Sequence, residues 1–111
     1  METIHSHLLI VGGDTAQREA LAAQLNAHGH QVEVLETGRE AQDLLDNDCR
    51  DLMFLSTRLP DAASRELAAH LRVLPHLDGM PIVVLAEADE IASLDSFFQV
   101  GVDDYIILPI T

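Results

Sequence analysis

The sequence predicts one α/β domain, with a parallel sheet covered by helices on both faces, and three observations carry that prediction. Five short apolar runs recur at regular intervals, over 7–11, 31–35, 51–55, 81–86 and 104–108. Those at 7–11, 51–55 and 81–86 are near-continuous, as strands buried on both faces tend to be. Between the runs lie segments with apolar residues at helical spacing, and strand–helix alternation of this kind builds parallel sheets through right-handed crossovers. No repeat, linker or low-complexity segment divides the 111 residues.

Taken in order, HLLIV over 7–11 is the first strand. Over 14–28, Ala20, Leu21, Leu25 and His28 share a helical face, Asp14 is placed to cap the helix through Gln17, and Gly29 to end it. QVEVL over 31–35 alternates apolar and polar residues, the pattern of an edge strand. Thr37-Gly38-Arg39-Glu40 reads as a capping box that opens a helix through Leu44 and Leu45. LMFL follows as the third strand and delivers Ser56 at its C-terminal end. Leu67, Leu71 and Leu74 give a helix over 64–74, stopped by Pro75. After the fourth strand, Ile91, Leu94 and Phe98 predict a helix over 88–100 with that face on the sheet, which puts Phe97 and Val100 on its flank.

Composition narrows the function. Six arginines, no lysine and 19 acidic residues give a net charge of −13. That balance argues against a direct grip on a nucleic-acid backbone, which needs clustered cations. The absence of lysine excludes every mechanism that requires an ammonium group. The apolar runs are too short to span a bilayer, and no secretory leader opens the chain, so a cytoplasmic setting is expected. Cys49 is the single cysteine, so no internal disulfide forms, and it reads as an inert thiol.

Ligands of parallel α/β sheets bind beyond the C-terminal strand ends. Here those ends carry Gly12-Gly13-Asp14, Ser56 through Pro60, Ala86-Glu87 and Leu108-Pro109. Four blocks in register, LLIVGGDTAQREALAAQL, DLMFLSTRLPD, MPIVVLAEADE and FFQVGVDDYIILP, span nearly the whole chain. Together they resemble the receiver domain of bacterial response regulators. The resemblance implies a flavodoxin-like doubly wound sheet of order 2-1-3-4-5. It also implies a fifth helix after the last strand, so the chain is expected to be cut before that helix and to precede an output domain.

The chemistry implied by the resemblance is missing residue by residue. The two acidic residues that hold Mg²⁺ in a working receiver fall on Gly12 and Gly13, and the phosphoaccepting aspartate falls on Ser56. The hydroxyl residue of the fourth strand falls on Ala86, and the lysine before the final proline on Leu108. Mg²⁺ requires hard oxygen ligands, and a serine hydroxyl is a weak nucleophile without an adjacent base. Loss of the whole set is coherent, because a partial set would strand a buried charge at a cost of roughly 3–5 kcal/mol. Leu108 is expected to fill the vacated volume and plug the pocket.

The expected function is therefore a phosphorylation-incompetent pseudo-receiver, not an enzyme and without a cofactor, that acts through a protein partner or self-association. Phe97, Val100 and Tyr105 are the candidate contact residues. The alternative is a small-ligand or nucleotide site on the Gly12-Gly13 turn, which lacks the spacing and the lysine of a phosphate loop. A metal site rebuilt from Asp14, Asp51 and Asp61 is disfavoured, since Asp51 precedes its strand. The pairs His5/His7 and His28/His30 fall short of the three or four ligands zinc takes.

Overall fold

A computed structural model describes residues 6–108. His5 and Pro109 lie outside them. The elements are β1 (His7–Val11), α1 (Thr15–Ala27), β2 (Gln31–Leu35), α2 (Gly38–Leu45), β3 (Leu52–Ser56), α3 (Ser64–Arg72), β4 (Ile82–Glu87), α4 (Leu94–Gln99) and β5 (Asp104–Leu108). Short 3₁₀ helices occupy Pro75–Leu77 and Ala88–Ser93. All strand pairs are parallel, and the order is β2-β1-β3-β4-β5, the doubly wound arrangement expected from the sequence. Among the described residues, no helix is long and apolar enough to cross a membrane.

The continuous apolar runs resolve into two faces at a period of two, as pleated strands require. Leu9, Val11, Met53, Leu55, Ile82, Val84 and Ala86 point to one side, where Ala41, Leu45, Leu67, Leu71 and Phe97 meet them from α2, α3 and α4. Leu8, Ile10, Phe54 and Leu85 point to the other side, onto Leu21 of α1. Among the described residues one helix covers this second layer, and Leu52, Val83, Ile106 and Leu108 stay half-exposed beside it. Strand β2 lies at the edge, and Arg50 reaches its Glu33 at 2.7 Å.

The caps follow the sequence. Asp14 accepts the Gln17 amide at 3.1 Å, and Thr37 and Glu40 exchange both bonds of the capping box. Helix α3 stops at Arg72, with Leu67 and Leu71 buried and Leu74 packed against their cluster. On α1, Leu21 is buried and Leu25 and Ala22 pack beside it, whereas Ala20 and His28 face solvent.

The segment 88–100 departs from expectation. It opens as a 3₁₀ helix over Ala88–Ser93 and becomes α-helical only at Leu94. A 3₁₀ turn advances 3.0 residues rather than 3.6, so the apolar phase read across the whole segment is lost. Ile91 and Phe98 consequently lie outside, 54% and 40% exposed, while Phe97 is buried at 7%. Phe97 is thus a core residue and not a flank, and Val100 is half-buried against the same cluster. Of the three candidate contact residues, Tyr105 alone is exposed, at 42%.

The reassignment separates two neighbours sharply. Phe97→Ala is expected to destabilise the fold by roughly 3–5 kcal/mol in urea unfolding. Phe98→Ala loses its edge-to-face contact with Tyr105, whose ring centroid is 6.0 Å away, and should cost about 1 kcal/mol. Equal losses would contradict the assigned faces.

Candidate functional site

The C-terminal ends of β1, β3, β4 and β5 bring Gly12, Gly13, Ser56, Ala86 and Leu108 to one edge of the sheet. The β1–α1 turn is held in a left-handed backbone, with φ of +77° at Gly12 and +86° at Gly13. Residues bearing a side chain rarely adopt that conformation. Both turn amides are consumed by backbone carbonyls: Gly12 donates to Leu35 and Gly13 to Arg58, each at 2.9 Å. The turn therefore offers no free N–H pair to a phosphate.

Space adds to the conformational restriction, since a side chain at Gly12 would have to displace the end of Leu59. A Cβ on Gly12 would lie 2.4 Å from Leu59 Cδ2 and 3.0 Å from the Arg58 carbonyl oxygen. A Cβ on Gly13 would lie 3.1 Å from the Ser56 hydroxyl. Leu59 thus occupies the volume that a first acidic side chain would enter. Among the described residues, no group of three or more histidine, cysteine or acidic side chains is placed to hold a metal. The residues present do not fit a divalent cation.

Ser56 is buried at the end of β3, and its hydroxyl accepts the Arg58 amide at 3.0 Å. Its carbonyl accepts the buried Ser64 hydroxyl at 2.5 Å. The side chain is committed to shaping its own loop, as a small polar strand terminus would be. Ala86 is buried in the helix-rich core layer. Leu108 pairs in register with Glu87 and packs at the rim of the α1 layer. It does not plug the site: a cavity of about 190 Å³ remains between Gly13, Asp14, Gln17, Ser56, Glu87 and Leu108. The space persists because α1 covers this layer alone and Leu108 is itself half-exposed.

Asp14, Asp51 and Asp61 do not converge. Asp51 accepts the His7 amide at 2.6 Å, at the N-terminal ends of the strands. Asp61 accepts the amides of Gly38 and Arg39 at 2.8 and 2.9 Å. Those two bonds hold its carboxyl below the ordinary carboxylate range and fasten the β3–α3 loop to the start of α2. A second fastening joins that loop to the segment after β4. The Thr57 hydroxyl donates to Glu90 Oε1 at 2.9 Å, and the same oxygen accepts the Glu87 amide at 2.7 Å. Neither Leu59 nor the Thr57–Glu90 bond stands out in the sequence, where no short motif links the partners.

A five-stranded parallel sheet of order 2-1-3-4-5, with the candidate residues gathered at the C-terminal strand ends, defines a flavodoxin-like doubly wound domain. The chain belongs to the response regulator receiver domain family, whose model matches residues 8–111. It is 34% identical over 102 residues to the response regulator MprA of Mycolicibacterium vanbaalenii, covering 92% of this chain and 43% of that protein. Similarity to MprA of Mycobacterium avium is 32%, over 92% of this chain and 44% of the relative. The chain therefore spans less than half the length of these curated relatives. Among solved structures, a putative response regulator from Chloroflexus aurantiacus superposes with a TM-score of 0.90 at 26% identity, over 97% of this chain and 88% of that one. A CheY-like receiver domain protein from Methanospirillum hungatei gives 0.86 at 25% identity, over 97% and 85%.

The left-handed turn makes a direct prediction. Gly12→Asp is expected to lower stability by about 1–3 kcal/mol through backbone strain, before any displacement of Leu59. Urea unfolding that left the midpoint unchanged would show that the turn admits the acid.

Proposed function

We propose that this receiver-family domain is a pseudo-receiver, a signalling module that neither accepts nor holds a phosphoryl group and acts through protein contacts. The observation that carries the reading is Leu59 seated where a Gly12 side chain would begin. Restoring an acidic residue there would require a strained backbone at positive φ and a displaced Leu59 side chain. The neutral residues Ser56, Ala86 and Leu108 at the remaining positions support the same conclusion. Phosphoryl transfer depends on positioned cations that neutralise the transferred oxygens, and this edge supplies neither metal ligands nor lysine. The domain is accordingly proposed to be non-enzymatic.

The nucleotide alternative draws less support, because the Gly12 and Gly13 amides already serve Leu35 and Arg58. The contact surface is revised from Phe97, Val100 and Tyr105 to Ile91, Phe98 and Tyr105, the exposed apolar residues of this flank. Exposed Asp89, Asp95 and Asp104 lie next to it in sequence, so a partner with basic groups around an apolar centre is the better match. Relatives more than twice the length of this chain support an attached output domain.

Incubation with acetyl phosphate and Mg²⁺ should add no phosphoryl mass, and beryllofluoride with Mg²⁺ should leave the amide spectrum unchanged. Stable phosphate incorporation, or shifts centred on Gly12, Gly13 and Ser56, would defeat the reading. Self-association is proposed through the half-exposed Leu52, Val83, Ile106 and Leu108 beside α1. Sedimentation should then show mass rising with concentration, and a concentration-independent monomer would refute it.

A further inference from the structure

Two loops leave the C-terminal edge of the sheet beside Ser56. One begins at Thr57, directly after it, and the other at Glu87, at the end of β4. The Thr57 amide is anchored to β4 by donating to the Leu85 carbonyl at 3.1 Å. Its hydroxyl crosses to Glu90 Oε1 at 2.9 Å in a part-buried setting. The same Glu90 oxygen caps its own 3₁₀ helix by accepting the Glu87 amide at 2.7 Å. Glu90 is therefore pinned from both sides. The next residue is Ile91, the most exposed apolar side chain of the Ile91–Phe98–Tyr105 strip.

We infer that the Thr57–Glu90 hydrogen bond is a built-in clasp that sets the pose of the 88–93 segment, and with it the strip, without any phosphoryl group. The 3₁₀ helix needs such support. Its six residues bury no side chain, so packing does not hold it, and a short 3₁₀ run has poor hydrogen-bond geometry of its own. A charge-assisted bond to a carboxylate is about twice as strong as a neutral one. Segments with few buried contacts open locally at low free energy, so removing the bond should be read locally rather than globally. The assignment of the strip as a contact surface rests on the pseudo-receiver reading. The clasp itself is a matter of geometry.

The test is amide hydrogen exchange in Thr57→Val, which keeps the β-branched residue at the start of the loop and the Glu87–Glu90 cap but removes the donor. Exchange over 87–94 should rise by at least about tenfold while β1 and β3 stay within about twofold. The ring signals of Phe98 and Tyr105 should shift with it. Thr57→Ser retains a hydroxyl and should match the parent. Glu90→Ala should loosen the segment further, and if loss of the cap unfolds it, Thr57→Val decides alone. Unchanged exchange over 87–94 in Thr57→Val, or equal loosening in Thr57→Ser, would overturn the clasp. With no Mg²⁺ or phosphodonor present, these outcomes are independent of the pseudo-receiver reading. Phosphorylation would defeat that reading and leave the clasp standing.

Discussion

The contact on which the rest of the edge depends is the seating of the β3–α3 loop on the β1–α1 turn. It has two parts that need each other. Gly13 gives its amide to the Arg58 carbonyl, and Leu59 lies over the bare Cα of Gly12. Gly13 is half-buried, and its amide would lose its partner if the loop lifted away, so the turn favours keeping that bond. Keeping it brings the loop so close that a side chain at Gly12 would crowd the Arg58 carbonyl and displace Leu59. The positive φ at both glycines is the conformation that permits this approach. From that contact the loop is carried onward, to α2 through Asp61 and to the segment after β4 through Thr57. In an edge organised in this way the charged groups that remain, Asp14, Arg58 and Glu87, stand at the solvent-reached rim rather than at the inner positions of Gly12, Ser56 and Ala86. A lone carboxylate or cation set among Leu59, Leu85 and Leu108 would be partly desolvated and unpaired.

Most of the fold was legible because the signals were local or doubly buried. Three strands announced themselves as continuous apolar runs, since covering both faces removes the usual alternation. Strand β2 kept its alternation because it lies at the edge. Helix α2 was fixed by a capping box whose partners stand three residues apart. The reading failed where helix type changed within a segment. Ile91, Leu94 and Phe98 satisfy α-helical spacing, but Leu94 and Phe97 satisfy it too, and only the 3₁₀ start decides between them.

The identities at the candidate site were legible, and its geometry was not. That Gly12, Gly13, Ser56, Ala86 and Leu108 are neutral is plain from the letters. That Leu59 fills the space over Gly12 is a contact across 47 positions of chain, beyond any short-range pattern. The same holds for Asp61 on α2 and Glu90 on Thr57, which lie 23 and 33 positions apart. The expectation that Leu108 plugs the pocket erred because it considered the side chain without its neighbours. On a layer covered by α1 alone, a leucine at the rim does not reach far enough to close the cavity.

That unequal cover also bears on how such a domain would work. The side facing α2, α3 and α4 is dry, with Leu9, Val11, Met53, Leu55, Ile82 and Val84 fully buried. The side facing α1 leaves half-exposed leucine, valine and isoleucine at its margin. Burying apolar area is worth about 25 cal/mol per Å², so covering this margin would add stability. Exposed Ile91 by contrast follows directly on Glu90, which ties its segment to the seated loop, and Phe98 and Tyr105 are in edge-to-face contact with each other. One surface therefore offers stability to whatever covers it, and the other offers a fixed shape. On the proposed pseudo-receiver reading, the domain would communicate through such standing surfaces, by which partner is present rather than by which covalent state it is in.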